Sequence, residues 1–184
     1  ELRVQENRNV RIGLLNGNLI SNDQSTESGV SSRVFKDGDW GFSSNANINN
    51  STIEKVINSS TENATFLNSR NINKCGILLP EDTFSYEFDF ATKKNKNPNS
   101  FWISFIKDLD AYITDKYKQI TSRKIFISNL DMEKNLLTST GAESYSMTPR
   151  SLLYMILTVE NQGQPVELMD VFGGLGQLED NFNG

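Results

Sequence analysis

Residues 29 to 45 constrain the fold of this 184-residue chain more than any other stretch. Side chains up to residue 34 alternate between two sets, which is the two-residue period of a β-strand. One set is Val30, Ser32 and Val34, and the other is Ser31 and Arg33. Asp37-Gly38 follows, a pair that suits the left-handed backbone of a short hairpin turn. Trp40 and Phe42 then resume the strand around Gly41, whose missing side chain indicates a bulge or a close approach of other backbone. The stretch therefore predicts a β-hairpin.

The first 45 residues as a whole predict a β-meander. Apolar and polar residues alternate over residues 2 to 4 and again over residues 10 to 14, which indicates two short strands. Asn16-Gly17 lies between two apolar pairs, and this dipeptide is the strongest short-range hairpin signal. A second hairpin is therefore predicted over residues 10 to 24.

Two segments space their apolar residues at the helical period. The first covers residues 51 to 69, and Ser51 with Glu54 forms a capping-box pattern at its start. The second begins at Pro98, placed at the first helical position where its missing N–H costs nothing, and continues to about Tyr117. Because each segment has one apolar stripe, we expect both helices to pack on a sheet.

The remaining segments have strand patterns. Aromatic and polar residues alternate from Phe84 to Phe90, so Glu87 and Asp89 share the face opposite the rings, roughly 6 to 7 Å apart. From residue 119 onward, apolar alternation and turn residues predict antiparallel strands. The order of elements predicts an α+β domain, a mainly antiparallel β-sheet of meanders and hairpins with two amphipathic helices packed on it.

The composition argues against several classes of function. A net charge of -5 disfavours a sequence-independent nucleic-acid surface, and we interpret Lys93, Lys94 and Lys96 as part of a solvated loop. No apolar run reaches the roughly 18 residues of a membrane span. The single Cys75 is interpreted as a small buried hydrophobe in a reducing compartment. We therefore expect a cytoplasmic protein with no nucleic-acid and no membrane partner.

The available side chains limit the chemistry. The sequence contains no histidine, which removes Ser-His-Asp and Cys-His nucleophiles and zinc sites of the HExxH type. Glu87 and Asp89 have the separation of an acid–base pair, but we interpret them as a solvated strand face. Arg33 is interpreted as structural rather than as a substrate contact. Residues 173 to 176, Gly-Gly-Leu-Gly, lack the Lys-Ser/Thr of a phosphate loop and are interpreted as a flexible linker.

Three groups of residues resemble the N-terminal domain of the TldD/PmbA family, once called modulators of DNA gyrase. They are Gly29, Arg33, Val34, Gly38, Gly41, Phe42 and Ser43-Ser44 of the hairpin, then Leu136 to Ser144, and Phe172 to Gly176. The resemblance implies an N-terminal α+β domain over residues 1–172 and a Gly-rich linker over residues 173–184 toward a C-terminal protease domain. Family members look like zinc metalloproteases whose HExxxH motif belongs to that second domain. No catalytic, cofactor-binding or metal-binding residue is therefore expected in this chain, and zinc is expected in the absent C-terminal domain.

The same resemblance implies a part in proteolysis through subunit assembly and peptide binding. It implies a dimer, or another homo- or hetero-oligomer with a family subunit, and a peptide or unfolded protein as substrate. We expect no activity from these residues alone. One alternative is a non-enzymatic partner or assembly subunit of the same family. Another is a secreted β-rich binding module, suggested by the N-x-Ser/Thr sequons at Asn50, Asn58 and Asn63.

Overall fold

The computed structural model describes residues 1–71 and 83–182, and that part of the chain contains seven strands and three helices. In chain order they are β1 Leu2–Leu15, β2 Asn18–Lys36, β3 Asp39–Asn45, α1 Asn50–Arg70, β4 Ser85–Asp89, α2 Asn99–Lys116, β5 Ile120–Leu137, β6 Glu143–Asn161, β7 Gln164–Leu175 and α3 Leu178–Asn181. The prediction that Cys75 is a buried hydrophobe lies outside the described residues.

The strands follow the order β3-β2-β1-β5-β6-β4, and β7 also pairs with β6. The β2–β3 and β6–β7 pairs are antiparallel. β4 differs because it runs parallel to β6, from Ser85 opposite Glu143 to Asp89 opposite Met147. The predicted α+β class with a mainly antiparallel sheet is confirmed.

The chain divides into two compact units. The first unit comprises Glu1–Asn7, Thr26–Asp89 and Met132–Met147. The second unit comprises Arg8–Ser25, Phe90–Asp131 and Thr148–Gly184. Within the described residues, neither long helix carries a stretch apolar enough for a bilayer span.

In the first unit, the β2–β3 hairpin confirms the prediction for residues 29 to 45. Asp37 and Gly38 form its turn, with φ of 46° and 101° in the left-handed region. Helix α1 packs on the hairpin at Gly41, where an added Cβ would lie 2.0 Å from the carbonyl oxygen of Ser60 and 2.3 Å from the backbone nitrogen of Ala64. The close approach of other backbone predicted at Gly41 is therefore confirmed.

The start of α1 corrects a prediction. Asn49 is the N-cap, because its side-chain oxygen accepts a hydrogen bond from the Thr52 N–H at 2.9 Å. The Ser51 hydroxyl donates to the same Asn49 oxygen at 2.8 Å. The predicted capping box of Ser51 and Glu54 is wrong because the helix begins at Asn50 and the preceding residue is itself a strong N-cap.

The second unit has a hydrophobic core between α2 and one face of the strands. Its buried members are Ile12, Leu14, Trp102, Ile106, Ile113, Ile125, Ile127, Leu153, Leu178 and Phe182. The sequence predicts Pro98 as the first helical residue of α2, but Pro98 is the N-cap and the helix begins one residue later. Tyr117 is the C-cap. A nearly buried ion pair fixes the position of this helix: Arg123 Nε donates to Asp110 Oδ1 at 2.8 Å.

Two segments differ from their sequence patterns. β1 runs unbroken from Leu2 to Leu15, where the alternation predicts two short strands. The segment predicted as a linker begins inside β7, and Leu178 and Phe182 contribute to the core of the second unit. Whether residues 173–184 lead toward a further domain stays a prediction.

Candidate functional site

A cavity of about 420 Å³ lies in the first unit beside the end of β2. Its apolar walls include Leu2, Phe35, Trp40, Ile57 and Leu137. The Arg33 N–H donates a hydrogen bond to the carbonyl oxygen of Glu1 at 2.9 Å. β2 continues beyond this hydrogen bond to Lys36. The cavity is therefore an apolar space next to a strand end, and its volume is typical of ligand sites.

Arg33 supplies the positive charge of this cavity. Its Nη2 donates to the Glu1 carboxylate at 2.9 Å, and its guanidinium carbon lies 4.5 Å from the centre of the Trp40 ring. Glu1 also forms an ion pair with Arg3. Burial of the Glu1 carboxylate acts to raise its pKa, but the charges of Arg3 and Arg33 outweigh this and hold the pKa below its ordinary value. Arg33 therefore has the structural role predicted for it, since it pairs with Glu1 and lies over Trp40. It also lines the cavity.

The rim of the cavity is the turn between β5 and β6, which carries three hydroxyl groups, those of Thr138, Ser139 and Thr140. The hydrogen bonds that hold the turn include one from the Thr138 N–H to the Ala142 carbonyl at 2.9 Å and one from the Ala142 N–H to Thr138 Oγ1 at 3.0 Å. Thr83 Oγ1 donates to the carbonyl oxygen of Thr140 at 3.1 Å. The rim thus connects the cavity to the residues just before β4.

β4 presents a row of aromatic rings at the end of the strand order. The ring centres of Phe84 and Tyr86 lie 5.3 Å apart, and those of Tyr86 and Phe88 lie 6.0 Å apart. Tyr86 is 57% exposed and Phe88 is 51% exposed. The alternation predicted for this strand is confirmed, and its aromatic face is open to solvent. Glu87 and Asp89 are exposed too, as expected for a solvated strand face.

The arrangement suits binding of an extended chain better than bond-breaking chemistry. A strand end, apolar walls and exposed rings offer main-chain and side-chain contacts to an added strand. In residues 1–71 and 83–182, no group of three or more acidic or sulfur side chains is placed to hold a metal ion. The sequence did not point to Leu137 or to the hydroxyl rim as neighbours of Arg33, because long-range strand pairing brings them together.

Two other groups that the sequence singled out have structural partners in the second unit. Lys94 Nζ donates to the carbonyl oxygen of Glu179 at 2.6 Å, and Lys96 Nζ lies 3.7 Å from a carboxylate oxygen of Asp131. These lysines tie the loop before α2 to the rest of the second unit, so the interpretation as a purely solvated loop is incomplete. Gly173 lies against backbone, because an added Cβ would be 2.2 Å from the Ser151 carbonyl oxygen.

Comparison with known proteins links this fold to one family. The model of PmbA/TldA metallopeptidase domain 1 matches residues 1–64. No curated protein matches the sequence. A candidate modulator of DNA gyrase from Bacteroides thetaiotaomicron superposes with a TM-score of 0.72 at 16% identity, over 98% of this chain and 41% of that one. A second candidate modulator, from Thermotoga maritima, gives a TM-score of 0.69 at 15% identity, over 99% of this chain and 40% of the other.

A third solved structure, TldE from Thermococcus kodakarensis, gives a TM-score of 0.63 at 14% identity, over 94% of this chain and 39% of that protein. At such identities the similarity shows the fold. The chain spans about two fifths of the length of these solved relatives. Together, the match over residues 1–64 and the shared fold confirm the predicted resemblance to the N-terminal domain of the TldD/PmbA family.

Proposed function

We propose that this chain is the N-terminal, non-catalytic domain of a TldD/PmbA-like metalloprotease of the cytoplasm, and that it holds peptide substrate and contributes to subunit assembly. The observation that carries the proposal is the fold, because nearly the whole chain superposes on about two fifths of each longer relative. A sequence match with the first domain of a metallopeptidase family supports it. A sequence without histidine supports a zinc site outside these residues.

The cavity of the first unit is where we place the peptide. An extended peptide pairs its main chain with the end of β2 and lays apolar side chains against Trp40 and Leu137. Arg33 lies over the Trp40 ring, where it also reaches a peptide carbonyl or carboxylate. The exposed rings of Tyr86 and Phe88 extend the apolar surface beyond the hydroxyl rim.

A matched pair of leucine substitutions tests this placement. Leu137 lines the cavity and is 44% exposed, whereas Leu19 is 45% exposed and does not line it. We expect Leu137→Asp to weaken binding of a fluorescein-labelled, extended apolar peptide at least about tenfold, because a carboxylate in the apolar wall must lose its hydration. Leu19→Asp is the control and should leave fluorescence anisotropy titrations unchanged. Equal affinity for both variants would remove the cavity from the proposal.

The non-enzymatic partner subunit remains the second candidate, since the similarity to TldE covers the same part of the chain as the similarity to the candidate gyrase modulators. The coding sequence downstream of Gly184 separates the two. A following domain with an HExxxH motif supports the protease, and a following domain without histidine ligands supports the partner subunit. With neither domain, both proposals fail for this polypeptide.

A further inference from the structure

The cavity of the first unit lies in line with β1. In the strand order β1 lies between β2 and β5. β1 begins at Leu2, whereas β2 runs past Arg33, the residue that pairs with Glu1, and ends at Lys36. The end of β2 borders the cavity on one side, and Leu137 at the end of β5 borders it on the other. The space between these two strand ends, here called the lane, therefore continues the position of β1 in the sheet.

Main-chain groups of β2 face the lane. Successive residues of an antiparallel strand turn their N–H and C=O groups to alternate sides. Arg33 turns its groups away from β3 and toward Glu1, so Phe35, two residues later, turns its own groups the same way. Phe35 also lines the cavity. An extended chain in the lane can therefore hydrogen-bond to the main chain of Phe35.

The lane is short and closed at one end. β2 extends past Arg33 by residues 34 to 36, which gives the lane a length of roughly 10 Å. From Leu2 onward β1 itself fills this position in the sheet, so a chain that runs in line with β1 must end beside Glu1. The group at that end is an α-amino group or an α-carboxylate, depending on the direction of the chain.

The charge at the closed end favours the carboxylate. Arg33 lies over the Trp40 ring, and this stacking leaves the N–H donors at the edge of its guanidinium plane directed outward. The Glu1 carboxylate accepts from one of them, at Nη2, and is shared with Arg3. Two guanidinium groups thus share one carboxylate, and the Arg33 side chain is 47% exposed. An α-amino group there is repelled, whereas a second carboxylate is attracted.

We propose that the cavity takes the free C-terminus of a peptide, with its last residues paired to Phe35 and its α-carboxylate bound by Arg33. The peptide then runs in the direction of β1, and apolar side chains near its end contact Trp40 and Leu137. This inference rests on the proposed peptide-holding role and deepens it by naming the end of the peptide that is recognised.

Three forms of one apolar peptide test the inference by fluorescence anisotropy with the 184-residue chain. They share their sequence and a fluorescein on a lysine in the N-terminal half, and they are a free acid, a C-terminal amide and an N-acetylated free acid. We expect the amide to bind at least about tenfold more weakly than the free acid, because it loses a charge-assisted hydrogen bond to Arg33. Acetylation should leave the affinity unchanged.

A matched pair of arginine substitutions assigns the effect to one side chain. Arg33→Gln should remove the preference for the free acid. Arg70→Gln is the control and should keep it, because Arg70 also lies over a ring, that of Phe66 at 5.0 Å, but does not line the cavity. Arg33→Lys, which keeps the charge and loses the planar fork, replaces Arg33→Gln if circular dichroism shows that the latter does not fold, and it should reduce the preference.

Three outcomes of these titrations overturn the inference: equal affinity for the free acid and the amide, a preference that the Arg33 variants leave intact, or equal loss of preference in Arg70→Gln. If free acid and amide bind equally and Leu137→Asp weakens both, the peptide-holding role stands and only this inference fails. If neither peptide binds, both fail.

The same titrations on the full-length protein, in EDTA so that no peptide is cut by a zinc site, complete the test. The preference for the free acid should persist there. A full-length protein that binds neither peptide, when the 184-residue chain binds the free acid, would mean that another part of the protein fills the lane, and it would overturn the inference.

Discussion

Gly41 lies where α1 packs directly against the backbone of the hairpin. An added Cβ would lie 2.0 Å from one helix backbone atom and 2.3 Å from another, and backbone cannot rotate away as a side chain can. We therefore expect Gly41→Ala to lower the free energy of unfolding by about 2–3 kcal/mol, measured by urea denaturation.

Gly163→Ala is the control for this substitution. Gly163 has a φ of 77°, but a Cβ there would meet nothing within 4 Å. Only the strain of the left-handed backbone should appear, about 1 kcal/mol. If the two variants lose the same stability, the packing of α1 on Gly41 is not the reason for glycine at that position.

The ion pairs of Glu1 give a pH dependence at the residue scale. The pKa of Glu1 is lowered in the folded chain, so its ion pairs add stability above the ordinary value of 4.5, and this stability is lost as pH falls through the lower folded pKa. Because the Arg33 side chain is 47% exposed, solvent screens the pair and the gain is below about 1 kcal/mol.

Urea denaturation of Glu1→Gln against the native chain measures that gain. The difference in unfolding free energy should be present at neutral pH and should vanish well below pH 4.5. A difference that persists in acid would mean that the side chain of Glu1 stabilises the fold by something other than its charge.

At the scale of elements, the cap of α1 can be tested with two neighbouring substitutions. Asn49→Ala removes the acceptor of the Thr52 N–H and should cost about 1 kcal/mol of stability. Ser51→Ala removes only an exposed hydrogen bond to Asn49 and should cost a few tenths of a kcal/mol. The reverse order in thermal or urea unfolding would restore the capping box that the sequence predicts at Ser51.

Local sequence signals were sufficient for the turns of the first two hairpins and for the presence of α1 and α2, although not for the first residues of those helices or for α3. Asp37-Gly38 and Asn16-Gly17 lie at the predicted turns, each with positive φ, because their conformation depends on those residues alone. Pairing between distant segments was not predictable in the same way. β4 lies parallel to β6, and the connection between them contains both α2 and β5, a choice of partner that no short-range pattern encodes.

The candidate site shows the same division. Arg33 and Trp40 lie seven residues apart in one hairpin, so their alternation places them on one face and makes their contact predictable. Leu137 and the hydroxyl rim come from the end of β5 and reach the cavity only through the order of strands. The sequence predicts two short strands in place of β1, because polar residues separate its two apolar segments. Pairing with the neighbouring strands β2 and β5 keeps those polar residues in one continuous strand.

On the scale of the whole molecule, the described residues form surfaces on which a ligand could bind. The sequence contains no histidine. The first unit has a cavity with apolar walls beside a strand end, and the second unit has a hollow of about 250 Å³ lined by Arg11, Phe126, Ser128, Tyr154 and Ile156. Fold similarity alone does not carry an activity. We therefore propose binding and assembly for this chain and hydrolysis in a separate domain.

Hydrolysis of a fluorogenic peptide library by the 184-residue chain, with and without added zinc, tests that division most directly. The same assay with an established zinc peptidase is the control for substrate and metal. We expect no zinc-dependent cleavage above the rate of buffer alone, while labelled peptide still binds the cavity. Zinc-dependent turnover that survives repurification, and that Leu137→Asp abolishes, would contradict the central claim that this domain binds peptide without cutting it.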